Sequence, residues 1–161
     1  MKRRTSHPGY SNLRKGRVSI FGQAYLLTWA TLHRAPALST MRAARMVVDC
    51  LRYSDAESWT RTLAFVVMPD HVHWCIELGA QKTLPQIMYS VKRFSSSRIL
   101  AVTAKNSQLW QAGYHDRAIR AEEDVVEVSR YIVANPLRAG LVDEIGDYSH
   151  WDAVWLAKSG L

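Results

Sequence analysis

WTRTLAFVVMPDHVHWCIEL, residues 59–78, reads as two strands on either side of a tight connection. Residues 59–68 are rich in Thr, Leu, Phe and Val, which suit a pleated, half-buried surface. Pro69-Asp70 breaks the run, and residues 71–78 resume as alternating side chains. Alternation sends His71 and His73 to one side of the strand, where they flank the same volume. Such a pair is a two-point clamp for a metal; equally, one histidine could cap the turn while the other packs or faces water.

Working outward, residues 19–33 carry Ile20, Phe21, Tyr25, Leu26, Leu27, Trp29 and Leu32, and most of this stretch is expected to be a first strand. Ser39 is placed to cap a helix in which Met41, Ala44, Arg45, Val48 and Leu51 recur at helical spacing up to Ser54-Asp55. Beyond the two strands, Thr83, Leu84 and Pro85 open a second helix. Leu84, Ile87, Met88 and Val91 form its apolar stripe, and Lys92, Arg93 and Arg98 supply positive charge. Residues 109–120 predict a loop and a fourth strand. Glu122, Glu123 and Asp124 then begin a helix to about Ala134, which Asn135-Pro136 should stop. The order β-α-β-β-α-β-α predicts an α+β, ferredoxin-like antiparallel sheet with a final helix against it.

A chain of 161 residues with 48% apolar character suits one domain, expected over residues 18–161. Residues 1–17 contain Lys2, Arg3, Arg4, Arg14, Lys15 and Arg17 without an acid, and read as a basic arm. Lys and Arg outnumber Asp and Glu by 21 to 14, for a formal charge of +7, which favours a polyanionic partner. No stretch approaches the roughly eighteen apolar residues of a membrane span, and no apolar segment follows the basic start, so a cytoplasmic protein is expected. Cys50 and Cys75 lack CxxC spacing and read as small buried hydrophobes. The six Trp residues are expected to pack rather than to stack on bases.

Tyr131 and Asn135 stand four apart, so one helix face could present a phenol and an amide oxygen together. A phenol is mostly protonated at neutral pH and needs an activated target, which a metal can supply. Two imidazoles and an amide would leave the full divalent charge available to polarise a phosphodiester. Taken singly, Tyr131 could instead be a half-buried helix aromatic, and Asn135 a helix stop.

VVMPDHVHWCIEL, residues 66–78, resembles the strand of single-tyrosine HUH transposases in which two histidines flank one hydrophobic residue. RYIVANPLRAGLV, residues 130–142, resembles the tyrosine-bearing helix and following turn of the REP-associated branch of that IS200-like family. Between them, VKRF at residues 91–94 and YHDRAIR at residues 114–120 are similar to the same branch, so the likeness spans roughly residues 18–155. The resemblance implies that His71 and His73 bind Mg or Mn, that Asn135 completes the site, and that Tyr131 attacks DNA. The products would be a 5′-phosphotyrosyl link and a free 3′ hydroxyl. The implied substrate is single-stranded hairpin DNA of repetitive extragenic palindromes, read together with a short guanine-containing sequence at the hairpin foot. Arg3, Arg4, Arg14, Lys15, Arg17, Lys92, Arg93, Arg120 and Arg138 are the candidate DNA contacts. The chain departs from the pattern at Asp70, where Asn or Glu is common, and at the C-terminal HWDAVW. A monomer or a homodimer is compatible with the resemblance, with Tyr131 serving its own or a partner's site. A binding module that keeps the fold without the cleavage is the alternative function.

Overall fold

The computed structural model describes residues 18–103, 107–120 and 124–153. Its elements are β1 (Ala24–Ala30), α1 (Met41–Ala56), β2 (Thr60–Val67), β3 (His71–Leu78), α2 (Leu84–Thr103), β4 (His115–Ala118), α3 (Val125–Val133), α4 (Asn135–Arg138) and β5 (Trp151–Ala153). Among the described residues the sheet is antiparallel in the order β4-β1-β3-β2-β5. The first four strands have the ferredoxin-like arrangement expected from the sequence, and β5 extends it beside β2.

Alternation along the strands splits the core between the two sheet faces. On one face Leu27, Trp29, Phe65, Val67, Val72, Trp74 and Ile76 pack against α1 and α2. On the other, Ala64, Val66, Met68 and Cys75 pack with Ile132 of α3. His71 and His73 share the parity of Cys75 on β3, so they look toward the α3 side.

Three local features differ from expectation. The first helix is capped by Thr40, whose side chain accepts from the Ala43 amide, whereas the Ser39 hydroxyl donates to the Pro36 carbonyl. α3 ends at Val133 with Ala134 as its C-cap, as expected ahead of Asn135-Pro136, but a short α4 that was not expected begins at once with Pro136 in its first turn. A proline is tolerated there because that amide lacks an intrahelical partner anyway. The short β5 was not foreseen; three residues hold no readable periodicity, and their pairing with β2 is non-local. The final helix has Asp124 as its cap, accepting from the Val126 amide, while Glu122 and Glu123 lie outside the described residues. So do the arm of residues 1–17, with Arg3, Arg4, Arg14, Lys15 and Arg17, and the end of HWDAVW.

Both cysteines are free and buried. Trp29, Trp59, Trp74 and Trp110 are buried, in keeping with a packing role.

Candidate active site

The imidazoles of His71 and His73 stand edge to face, their centroids 4.9 Å apart. Each has its Nδ1 engaged. His71 Nδ1 lies 2.6 Å from Asp70 Oδ1, and His73 Nδ1 lies 2.9 Å from Thr28 Oγ1. An ionised carboxylate only accepts, so a neutral His71 carries its proton on Nδ1 and keeps a lone pair on Nε2. Asp70 is held in turn by Arg34, whose Nε is 2.9 Å from Oδ2. A metal site requires imidazoles oriented through one nitrogen with a lone pair on the other; Asp70 sets this for His71, and the Thr28 hydroxyl, which can accept, allows it for His73.

The brace is built by two loops distant in sequence. The fully buried Thr31 donates its hydroxyl to the Ala35 and Asp70 carbonyls at 2.7 and 3.0 Å, and its amide also donates to Asp70 O. The Leu38 amide donates to the Pro69 carbonyl. Within the turn so fixed, His33 and Arg34 adopt left-handed backbone with φ of 55° and 56°. Such conformations cost roughly 1–3 kcal/mol each in a non-glycine residue and persist where the surroundings impose them. Here the turn delivers Arg34 to Asp70, and so orients His71 indirectly.

Burial, then the charges of His71, Arg138 and Arg34, push the His73 imidazole down to about 4. His73 therefore stays neutral, as a ligand must be, through the neutral pH range. The positive charge of Arg138, beyond the tyrosine helix, thus acts on His73. Next along the same face of β3, burial raises the Cys75 thiol to about 11, with Ser129 of α3 and Arg117 partly opposing, so it is an inert packing residue.

α3 carries Tyr131, with Ile132 buried toward the sheet and Tyr131 itself 62% exposed. Arg138 lies over the Tyr131 ring with its guanidinium carbon 3.8 Å from the centroid, and its Nη2 donates to the Tyr131 carbonyl at 2.7 Å. The turn from α3 into α4 is what brings Arg138 back onto Tyr131, seven residues earlier. Asn135 donates through Nδ2 to the Ile132 carbonyl at 2.8 Å, which leaves Oδ1 as its atom for a cation. Among the described residues no group of three or more His, Cys, Asp and Glu side chains could hold a metal, so a site here needs a donor such as an amide beside the two imidazoles.

The remaining basic residues fall into different settings. Lys92 donates its ammonium to the Gln111 and Gly113 carbonyls, both at 2.7 Å, and so ties α2 to the following loop. Arg93 is exposed and donates to the Tyr89 hydroxyl at 3.3 Å. Arg120 is exposed at the end of the β4 segment. Sequence reasoning missed Thr28 and Arg34 and saw in Asp70 a turn residue and a departure from the family pattern, not a partner of His71. The sheet register puts His115 and His73 opposite Thr28 from its two sides, in one row of the α3 face. Only the pairing of β1 with both β3 and β4 makes that row, and no local spacing announces it.

A family model described as IS200-like transposase matches residues 19–135, a stretch that takes in His71, His73, Tyr131 and Asn135. The ISDra2 transposase TnpA of Deinococcus radiodurans is 25% identical over 126 residues, covering 74% of this chain and 89% of that protein. A solved REP-associated tyrosine transposase bound to a REP hairpin superposes with a TM-score of 0.68 at 20% identity, covering 84% of this chain and 79% of the other, and shows a shared fold. A putative transposase structure from Deinococcus radiodurans superposes with a TM-score of 0.53 at 26% identity, over 74% of this chain and 95% of the other.

Proposed function

The chain belongs to the IS200-like transposase family, and from that premise we propose that it is a metal-dependent single-stranded DNA endonuclease and strand transferase with Tyr131 as nucleophile. The observation that carries the reading is one sheet face with two imidazoles, each engaged through Nδ1, on the side where α3 packs with Tyr131, and Asn135 follows at the start of α4. His71 and His73 would hold Mg or Mn through Nε2, with Asn135 Oδ1 as a third ligand. This donor set is neutral, so a bound divalent ion keeps its charge to polarise the scissile phosphate and stabilise the departing 3′ oxygen.

In the proposed step the Tyr131 Oη forms a bond to phosphorus as the bond to the 3′ oxygen breaks. The phenolic proton passes to water, and the 3′ oxygen takes up a proton to become a hydroxyl. The strand is left joined to Tyr131 through its 5′ phosphate. Attack by another 3′ hydroxyl on that link reverses the chemistry, transfers the strand and restores the phenol. Arg138 keeps the ring in position, and Thr28, Asp70 and Arg34 hold the imidazoles. The substrate proposed is hairpin DNA of the palindromic type, as in the structurally similar REP-associated transposase.

The test incubates wild type and Tyr131→Phe with labelled hairpin DNA from palindromes near the gene, with Mn or with chelator, and resolves products on a denaturing protein gel. A label shifted to the protein only with metal and with Tyr131 is expected. Undiminished nicking by Tyr131→Phe, or tight binding of every hairpin without a metal-dependent adduct, would overturn the reading.

A further inference from the structure

We propose that the groove between α2 and residues 108–114 binds one unpaired nucleotide of single-stranded DNA, its base stacked on Tyr89 and its phosphate beside Arg93. The groove encloses about 450 Å³, within the size range of small-ligand sites. Met88 and Trp110 give it an apolar floor, Gln111 lies at its wall, and no acidic side chain lines it among the described residues. Tyr89 is 65% exposed, and Arg93 leans onto its hydroxyl. An aromatic face beside a cation matches a base and its phosphate, and the net charge of +7 favours a polyanion over a neutral or basic partner.

The walls are held from three sides, so the groove is preformed. Trp110 Nε1 donates to the buried Ser95 hydroxyl of α2 at 3.1 Å. Lys92 clamps the carbonyls of Gln111 and Gly113. The Gln111 amide donates to Ala30 O, and the Leu32 amide to Leu109 O, which fix the loop to the end of β1. A lysine with its ammonium so placed shapes the groove, while the neighbouring Arg93 stays exposed at its rim.

Position supplies the second argument. Gln111 and Tyr114 also line a smaller cavity of about 110 Å³ together with Thr28, Arg34 and His115. Thr28 contacts His73, and Arg34 holds the carboxylate that contacts His71. A strand leaving the histidine pair along this edge therefore crosses a single loop to reach Tyr89. The inference deepens the proposed function and rests on it for the identity of the polymer.

Fluorescence anisotropy with a labelled, unstructured, mixed-sequence DNA oligonucleotide, in chelator, tests it without cleavage. Loss of one stacked base in Tyr89→Ala should weaken binding by about 5- to 150-fold. Tyr89→Phe should keep most of the affinity, because the stacking face is retained. Phe94→Ala is the control: Phe94 is 56% exposed on the same helix but lines a separate cavity with Tyr53 and Trp59. Tyr89→Ala binding as tightly as wild type, a loss shared equally by Phe94→Ala, or a wild type that does not bind the oligonucleotide overturns the assignment. If the Tyr131 adduct forms while Tyr89→Ala binds normally, the groove alone is wrong. If Tyr89→Ala loses affinity while no adduct forms on any hairpin, the groove stands and strand transfer falls.

Discussion

Asp70→Ala tests whether the histidine pair is oriented by its surroundings. The change removes the oxygen 2.6 Å from His71 Nδ1 and strips Arg34 of its 2.9 Å contact. The Arg34 side chain is 54% exposed and that of Asp70 25%, so this partly solvated pair should contribute no more than about 1 kcal/mol to the fold. The His71 side chain is only 14% exposed, and losing the group that sets its tautomer should cost about 10- to 100-fold in metal affinity, or ~1.4–2.8 kcal/mol. The assay is a Mn titration followed by electron paramagnetic resonance of the unbound ion, run beside urea unfolding in chelator. Asp70→Asn keeps an acceptor oxygen without the charge and should fall between wild type and Asp70→Ala. Unchanged Mn affinity in Asp70→Ala would refute the bracing argument. An affinity loss matched by an equal loss of stability in chelator would show that the residue acts through the fold instead.

Two further outcomes follow from the same geometry. Protonating His73 costs the folded chain more than the unfolded one, so its contribution is complete above the ordinary value of 6.5 and is lost as pH falls toward about 4, by roughly 3 kcal/mol in metal-free protein. Urea midpoints across that range should show a shallower pH slope for His73→Gln; an unchanged slope would remove burial of this imidazole as the cause. Arg138→Ala deletes the cation over Tyr131 and its bond to the Tyr131 carbonyl, and single-turnover adduct formation should slow by about 10- to 100-fold. Arg138→Lys should rescue little, because a point ammonium does not reproduce the flat stacking; wild-type rates in either variant would mean the helix alone positions the ring.

The elements read most closely from sequence are those whose burial pattern is local. β3 occupies residues 71–78 as expected, because one of its faces meets α1 and α2, the other meets α3, and each leaves its period-two trace in the chain. The apolar stripe of α2 is likewise buried as expected at Leu84, Ile87, Met88 and Val91. Errors arose where one residue type satisfies two local rules. Ser39 and Thr40 can both cap a helix, and the hydrogen bond to Ala43 chooses Thr40. Pro136 can end a helix or sit in its first turn, and here it does both: α3 ends ahead of it as expected, and the unexpected α4 carries it in its first turn.

Charge was the least legible quantity, since a basic side chain reads alike in sequence whatever it meets. Lys92 became a tether only because folding brings two carbonyls of residues 111–113 to its ammonium, whereas Arg93, one position on, faces outward. The candidate site divides along the same line. Spacing by itself placed His71 with His73, because strand periodicity is a property of neighbouring residues, whereas Tyr131 and Asn135, expected on one helix face, fall on α3 and α4, which the break at Ala134 separates. Only the tertiary structure laid α3 over the histidine face, brought Thr28 of β1 to His73, and set Arg34 on Asp70. These partners lie 36 or more residues apart, and their meeting depends on which strands pair and in what register. Register is decided by burial of the whole sheet and cannot be seen in any one segment.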